Sequence, residues 1–239
     1  MNTELMQQKE NLPDYLRDVP VTGIEDMGKH QNMPRIKVLQ ATSDSDLNSQ
    51  YGLGSAILRN ENTIVAKFEE PFHAVPLLFR ASFQKWADIK DTSFASPIVE
   101  ENFDDDSLLA QRAKSRFVED YGNGFVYSYC RSLNFWAEII SGEAKGIIAA
   151  ISFVRGGEGV GKRLCGELNR RGCAIFCNDI TFCVSKITNR QNNSWMQLGY
   201  DGIDFIGESE LQRYQMMSEE ITDAFGRGMV TASEANADE

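Results

Sequence analysis

Apolar and polar residues alternate along several stretches of the chain, and a repeat of two residues indicates β-strands with one buried face. The richest stretch is 75–86, where every second residue from Leu77 to Phe83 is apolar. The stretch 33–40 alternates as well and carries Arg35 and Lys37 on one face. Further strand candidates lie at 55–58, 63–68, 125–136, 146–154, 173–187 and 195–200.

Three stretches show the apolar spacing of a helix. Residues 107–118 predict a short helical piece, and 160–171 predict a helix that ends at Gly172. A capping box at Ser209 begins a helix over 211–225. Many short strands with one inner and one C-terminal helix predict a mainly β, α+β fold, and they favour a small barrel over a doubly wound sheet.

The same patterns divide the chain into an arm, a domain and a tail. Residues 1–32 lack an apolar period and contain several Gly and Pro residues, so we expect a loosely ordered N-terminal arm with flexible character. Residues 33–226 predict a single domain with an acidic insertion at 91–120. Residues 227–239 predict a disordered acidic tail.

The composition is that of a globular protein, because the 239 residues are 42% hydrophobic and 10% aromatic. No apolar run approaches the roughly 18 residues that a membrane-spanning helix needs. The N-terminus also lacks the apolar region of a signal peptide. We therefore expect a protein of the cytoplasm without a membrane partner.

Five cysteines are present, and four of them lie between Cys165 and Cys183 without the paired C-x2-C spacing of common zinc sites. Cys177 and Cys183 fall among apolar residues, where cysteine commonly serves as a small buried hydrophobic residue. This pattern favours free buried thiols over a metal site, and a reducing compartment favours the absence of disulfides.

Charge is distributed unevenly along the chain. The net charge is −11, yet residues 145–195 carry eight Lys and Arg against three Asp and Glu, a local net charge of +5. Because salt screens charges beyond about 8 Å, a local basic region can bind phosphates within an acidic chain. The distribution favours a nucleic-acid-binding protein over an enzyme.

Residues 156–163 match the G-x4-G-K spacing of a nucleotide-binding loop, after an apolar strand and before a helix. Arg163 stands where such a loop needs the Ser or Thr that holds Mg²⁺, and the β-rich pattern offers few crossover helices for a parallel sheet. The stretch therefore argues against an NTPase. It indicates either a passive phosphate contact at a helix N-terminus or glycines that only shape a loop.

Residues suited to catalysis are scarce. The chain has two histidines, His30 and His73, and no serine within a G-x-S-x-G motif. The run from Asp104 to Asp106 predicts a solvated loop rather than a metal site, because consecutive side chains point in different directions. We expect no enzyme and no cofactor, and a metal-dependent nuclease built from scattered carboxylates is the less favoured alternative.

Aromatic and basic residues are interleaved near the ends of two predicted strands. Arg80 precedes Phe83-Gln84-Lys85-Trp86, and Lys186 precedes Trp195. Proteins that bind single strands stack bases on aromatic rings, at about 1–3 kcal/mol for each base, while cations contact the phosphates. Most aromatic residues must belong to the core, so Trp86 and Trp195 are the best candidates for stacking.

Five stretches carry a resemblance: Gly23-Ile24-Glu25, Met33 to Gln40, Val75-Pro76 leading to Trp86, Gly161-Lys162-Arg163-Leu164, and Ser194-Trp195. Their order over about residues 23–225 is similar to that of phage-encoded proteins taken to bind single-stranded DNA. The resemblance implies an OB-like barrel that coats single strands during replication or recombination. It also implies that the acidic C-terminal tail recruits replication or recombination proteins and competes with DNA.

Together these observations predict a sequence-tolerant, phage-encoded single-stranded-DNA-binding protein, with 33–226 as an OB-like nucleic-acid-binding domain. The alternative from another class is a structural or interaction protein of the virion, and the sequence leaves open a homo-oligomer. The residues predicted to contact DNA are Arg35, Lys37, Arg80, Lys85, Trp86, Arg155, Lys162, Arg163, Arg171, Lys186 and Trp195.

Overall fold

The computed structural model describes residues 31–59, 63–89, 95–120, 125–226 and 230–232. The predicted arm up to residue 30, the stretch 121–124, and the tail at 227–229 and 233–239 lie outside the described residues.

Over the part of the chain that the structure describes, the fold is mainly β, with 45% of the residues in strands, and it contains four helices. The strands are β1 (Gln31–Met33), β2 (Ile36–Val38), β3 (Ala56–Leu58), β4 (Ile64–Ala66), β5 (Phe72–Ile89), β6 (Ala95–Asn102), β7 (Val118–Asp120), β8 (Phe125–Ile139), β9 (Ile148–Val154), β10 (Asn178–Thr188), β11 (Ser194–Phe205) and β12 (Val230–Ala232). The helices are α1 (Ser45–Tyr51), α2 (Leu108–Lys114), α3 (Glu158–Arg171) and α4 (Leu211–Gly226), and short 3-10 turns lie at Arg155–Gly157, Ile175–Cys177 and Glu208–Glu210.

The centre of the fold is a long antiparallel pair formed by β5 and β8. The pairing runs from Ala74 and Ile139 at one end to Ile89 and Phe125 at the other. At the first end β5 also pairs with β10, which pairs with β11, while β8 pairs with β9. At the second end β5 pairs with β6 and β8 pairs with β7. The two ends of the β5–β8 pair therefore lie beside different strands of the seven-stranded sheet.

Two smaller sheets accompany the large one. Strands β2, β3 and β4 form an antiparallel sheet, and β1 pairs in parallel with β12. Arg35, just before β2, forms a bridge to Ala150 of β9, which joins the small sheet to the edge of the large one. Among the described residues no pairing closes the large sheet on itself, so the OB-like barrel implied by the resemblance is not confirmed.

Helices cover both faces of the central pair. Helix α3 packs its apolar stripe against Leu133 and Phe153 on one face, and α4 packs around Trp136 on the other. Because both faces are covered, every residue of β8 from Ser132 to Ile139 is buried. This explains why the second half of β8 lacks the alternation of a half-exposed strand.

A buried polar layer lies between β5, β8 and β9. Asn134 on β8 donates to the Ser82 hydroxyl at 2.9 Å, and its side-chain oxygen accepts from Ser132 and from Ser152. Ser82, Ser132 and Asn134 are buried and Ser152 is half-buried, and each retains hydrogen bonds, which avoids the cost of an unsatisfied buried polar atom.

Glu101 on β6 extends this layer to the start of β2. Its carboxylate accepts hydrogen bonds from Ser82 and Gln84 and is ion-paired with Arg35 at 2.8 Å. The side chains of Arg35 and Glu101 are only 6% and 11% exposed. The layer consists of Arg35, Ser82, Gln84, Glu101, Ser132, Asn134 and Ser152.

The structure differs from the sequence-based expectation in four segments. Helix α1 lies between the strand candidates at 33–40 and 55–58, where no helix was predicted, and the Asp44 side chain accepts from the N–H groups of Asp46 and Leu47 and caps the helix. The acidic insertion contains strands β6 and β7, which were not predicted, in addition to α2, which matches the helical piece predicted at 107–118. Strands β1 and β12 include residues that were assigned to the arm and the tail.

Within the described part of the chain, no helix combines the length and the apolar character needed to cross a membrane.

Candidate nucleic-acid interface

A groove of about 590 Å³ lies between α2 and the beginning of α3, with β8 as its floor. Five cationic residues line this groove, against a single carboxylate, Glu158. The cations are Lys114, Arg116, Arg131, Arg155 and Lys162. We refer to this site, together with the lining aromatic residues Phe83, Phe117 and Tyr129, as the α2–α3 groove.

The first wall is the C-terminal end of α2 and the residues that follow it. Ser107 caps the helix by accepting from the Ala110 N–H, and the buried face of α2 packs on Phe83 and Tyr129. This orientation places Lys114, Arg116 and Phe117 along the groove. The Phe117 side chain is 42% exposed. A large aromatic ring open to solvent beside cations is the arrangement that base stacking requires.

The floor is formed by Tyr129 and Arg131 of β8. The Tyr129 hydroxyl donates to Glu119 and accepts from Arg112, and its ring centroid lies 5.9 Å from that of Phe117. Burial, followed by the hydrogen bond to Glu119, raises the pKa of Tyr129 to about 12. The ring is therefore held in one orientation, with its hydroxyl protonated at neutral pH.

The second wall is the first turn of α3. The Oε1 atom of Glu158 lies 2.8 Å from Lys162 Nζ and 3.2 Å from Arg131 Nη2. Burial raises the pKa of Glu158, but the hydrogen bonds and charges of Lys162 and Arg131 outweigh it, so the pKa lies below its ordinary value. Glu158 is consequently ionised at neutral pH and neutralises part of the charge of this wall.

Arg155 precedes this wall and is held in place by several contacts. Its Nη2 atom donates to both carboxylate oxygens of Asp88 at 2.8 Å and to the Ser128 hydroxyl at 2.8 Å. Its guanidinium carbon lies 4.4 Å from the centroid of the Trp86 ring. The backbone φ of Arg155 is +51°, a left-handed conformation that costs a non-glycine residue about 1–2 kcal/mol. The side-chain contacts offset this cost.

The glycines after Arg155 shape the approach to the groove. A Cβ atom at Gly156 would lie 3.8 Å from Trp195 Nε1, so the Trp195 side chain packs beside this turn. A Cβ atom at Gly161 would lie 2.6 Å from the Cβ atom of Phe153, so Gly161 allows α3 to approach β9 closely. Because α3 begins at Glu158, Lys162 is already within the helix. The G-x4-G-K stretch therefore does not form an open loop that could surround a phosphate.

Comparisons of this chain with protein-family models, with curated proteins and with solved structures find no match.

The structure brings five of the predicted contact residues to one region. Arg155 and Lys162 line the groove, Trp86 stacks on Arg155, and Trp195 lies beside the turn at Gly156. Lys85 lies 4.3 Å from the Tyr127 ring centroid and 5.8 Å from that of Tyr129. Trp86 of β5 thus contacts the start of the basic stretch through Arg155, and Lys85 of β5 lies beside the groove residue Tyr129.

The other predicted contact residues lie elsewhere, and two of them have internal roles. Arg35 is buried in its ion pair with Glu101, so the prediction that it is an exposed cation on a strand face is wrong. Arg171 donates to the Ile203 carbonyl, and its guanidinium stacks on Phe205 at 3.8 Å, which holds the end of α3 on β11.

The remaining four do not line the groove. Arg80 lies over the Phe225 ring of α4, at 5.7 Å from its centroid. The others are Arg163 on α3, Lys37 on β2 and Lys186 on β10.

Sequence reasoning missed Lys114, Arg116, Phe117, Tyr129 and Arg131. The first three lie inside the acidic insertion, whose runs of Glu and Asp concealed a basic helix end. A usable signal was present in β8, because Tyr129 and Arg131 repeat the aromatic and basic alternation noted in β5.

The described cysteines form no disulfide. In the same parts of the chain, no group of three or more His, Cys, Asp and Glu side chains is arranged to hold a metal ion.

Proposed function

We propose that this chain binds single-stranded DNA without sequence preference through the α2–α3 groove. The observation that carries the proposal is the combination, in one groove, of five cations with the exposed ring of Phe117, which packs beside the buried ring of Tyr129. Cations that neutralise phosphates supply affinity for any sequence, and aromatic faces accept any base.

Single strands suit this groove better than a duplex. Phe117 can stack only on a base whose face is free, and the bases of a duplex already stack on one another. Arg112 lies 5.4 Å from the Phe117 ring centroid and donates to Tyr129, so the two rings share one cationic support. We infer a non-enzymatic role in which the strand is held and kept accessible.

The biological process in which the chain acts is inferred from the resemblance of its sequence to phage single-stranded-DNA-binding proteins. On that basis we propose a role in phage DNA replication or recombination in the host cytoplasm, with the acidic tail recruiting partner proteins. We also propose, on the same basis, that the domain is related to OB-like barrels.

The test is a fluorescence anisotropy titration of labelled single- and double-stranded oligonucleotides over a range of salt concentrations. We expect the single strand to bind more tightly, with an affinity that falls steeply as salt rises. Replacing Lys114 and Arg116 by alanine removes two cations and should flatten the slope of log K against log salt by about 1.4. Lys145→Ala, which removes an exposed cation outside the groove, serves as the control.

The aromatic contribution is tested separately by Phe117→Ala. Loss of a stacking partner worth about 1–3 kcal/mol should weaken single-strand binding at least about fivefold. Phe205→Ala removes another exposed aromatic ring, one that lies beneath Arg171, and should leave binding unchanged. Absence of binding by the wild-type chain at low salt would refute the proposal, and self-assembly in the same samples would favour a virion protein.

A further inference from the structure

The groove contains a negative charge at the place where its cations converge. Glu158 Oε1 is shared by Lys162 Nζ at 2.8 Å and by the Nε and Nη2 atoms of Arg131 at 3.3 and 3.2 Å. The Glu158 side chain is 23% exposed, so it is open to the groove rather than sealed beneath it.

This position favours an anion for two independent reasons. The donors come from two separate elements, Arg131 on β8 and Lys162 on α3, and they converge on one oxygen atom. Glu158 is also the first residue of α3, where the helix dipole stabilises negative charge. Arginine and lysine side chains bind phosphate and carboxylate oxygens with similar geometry, so the same donors suit a phosphate of the nucleic-acid backbone.

We propose that Glu158 is an internal counterion that occupies a phosphate position in the α2–α3 groove and is displaced when a strand binds. This inference rests on the proposed function of the groove. It assigns Glu158 the role of lowering affinity for single strands, because each binding event must exchange the carboxylate for a phosphate. It also makes the salt dependence weaker than it would be without Glu158.

A purely structural ion pair has different consequences. If Glu158 only stabilised the first turn of α3, its removal would lower stability and leave affinity unchanged or reduced. If Glu158 is a counterion, its removal adds one net positive charge at the groove. The affinity should then rise about fourfold at roughly 0.15 M salt, and the salt slope should steepen by about 0.7, the change expected for one further phosphate contact.

The experiment compares wild type, Glu158→Gln and Glu219→Gln in the same salt-titrated anisotropy assay with a labelled thymidine oligonucleotide. Glu219 is an exposed residue of α4, so its variant carries the same change in net charge away from the groove. We expect tighter binding and a steeper slope for Glu158→Gln, and wild-type values for Glu219→Gln. Circular dichroism confirms that each variant is folded.

A double variant tests whether the effect of Glu158→Gln comes from the net charge of the groove. Removing Arg131 and Glu158 together (Arg131→Gln with Glu158→Gln) restores the wild-type charge balance and should return affinity and slope to near wild-type values. Unchanged or weaker binding by a folded Glu158→Gln protein would overturn the inference while leaving the proposed function in place. A wild-type chain that binds no single strand would overturn both.

Discussion

The Arg155 guanidinium stacks on the Trp86 ring, with 4.4 Å between the guanidinium carbon and the ring centroid. The two residues come from different parts of the chain, and Asp88 and Ser128 complete the set of contacts around Arg155. The conformation of the turn before α3 thus depends on the far ends of β5 and β8, which also bear the floor of the groove.

Two substitutions of Arg155 distinguish the energetic cost of its left-handed backbone from the contribution of its side-chain contacts. Arg155→Ala and Arg155→Gly lose the same side-chain interactions, but only glycine adopts the left-handed conformation without steric cost. We expect Arg155→Gly to be more stable than Arg155→Ala by about 1 kcal/mol in urea unfolding. Equal stabilities would show that the contacts of Arg155, and not its φ angle, determine the conformation of the turn.

The two glycines of α3 that flank Val160 should respond in opposite ways to alanine. At Gly161 a Cβ atom would collide with Phe153, so Gly161→Ala should destabilise the protein by about 1–3 kcal/mol. At Gly159 the space is open, so Gly159→Ala should stabilise it by roughly 0.5–1 kcal/mol through better helix propensity. Thermal unfolding of both variants measures the difference, and a tolerated Gly161→Ala would contradict the close approach of α3 to β9.

Because Arg35 is buried, its replacement should have a large effect on the stability of the protein. Arg35→Ala leaves the buried Glu101 carboxylate without its ion pair, which should cost about 3–5 kcal/mol. Lys37→Ala, two residues away on β2, should change stability by no more than about 0.5 kcal/mol. Urea denaturation of the two variants provides the comparison. If Arg35→Ala had only a small effect on stability and also weakened DNA binding, Arg35 would instead be a residue that contacts DNA.

Three tyrosines, two buried and one half-buried, should make the stability of the protein depend on pH in the alkaline range. Burial is the largest cause that raises the pKa of Tyr129, Tyr200 and Tyr214 from 10.0 to about 12. Because the unfolded chain loses these protons first, the stabilisation is fully present below pH 10 and is lost as the pH rises toward 12. Urea unfolding across this range should show falling stability, and Tyr214→Phe should make the fall shallower. The ultraviolet absorbance of tyrosinate identifies the ionisation that accompanies unfolding.

Local patterns in the sequence predicted most of the elements but not their arrangement. Apolar alternation located β5, aromatic-rich strand character located β8, and helical spacing located α3 and α4, because these patterns lie within single stretches of the chain. Strand β6 was not predicted because it contains Glu101. Charged residues are usually exposed, but Glu101 is largely buried in its ion pair with Arg35.

The groove itself could not be derived from local pattern. Its walls come from α2 and α3, which meet across Arg131 only because β5 and β8 pair over their full length. Such long-range pairing leaves no signal in any single stretch of sequence. The charge map indicated the stretch that contains Arg155 and Lys162, which line the groove, but net charge per segment concealed Lys114 and Arg116 among acidic neighbours.

The buried polar layer has a consequence for the alignment of the two central strands. A shift of β8 by two residues along β5 would keep every apolar side chain on its own face, so hydrophobic burial alone does not distinguish the two alignments. The shift would move Asn134 away from Ser82 and leave several buried polar atoms unsatisfied. Hydrogen bonds at the middle of the sheet therefore select one register of β8 on β5. That register determines which residues lie opposite each other at the distant end of the strands, beside the cations of the groove.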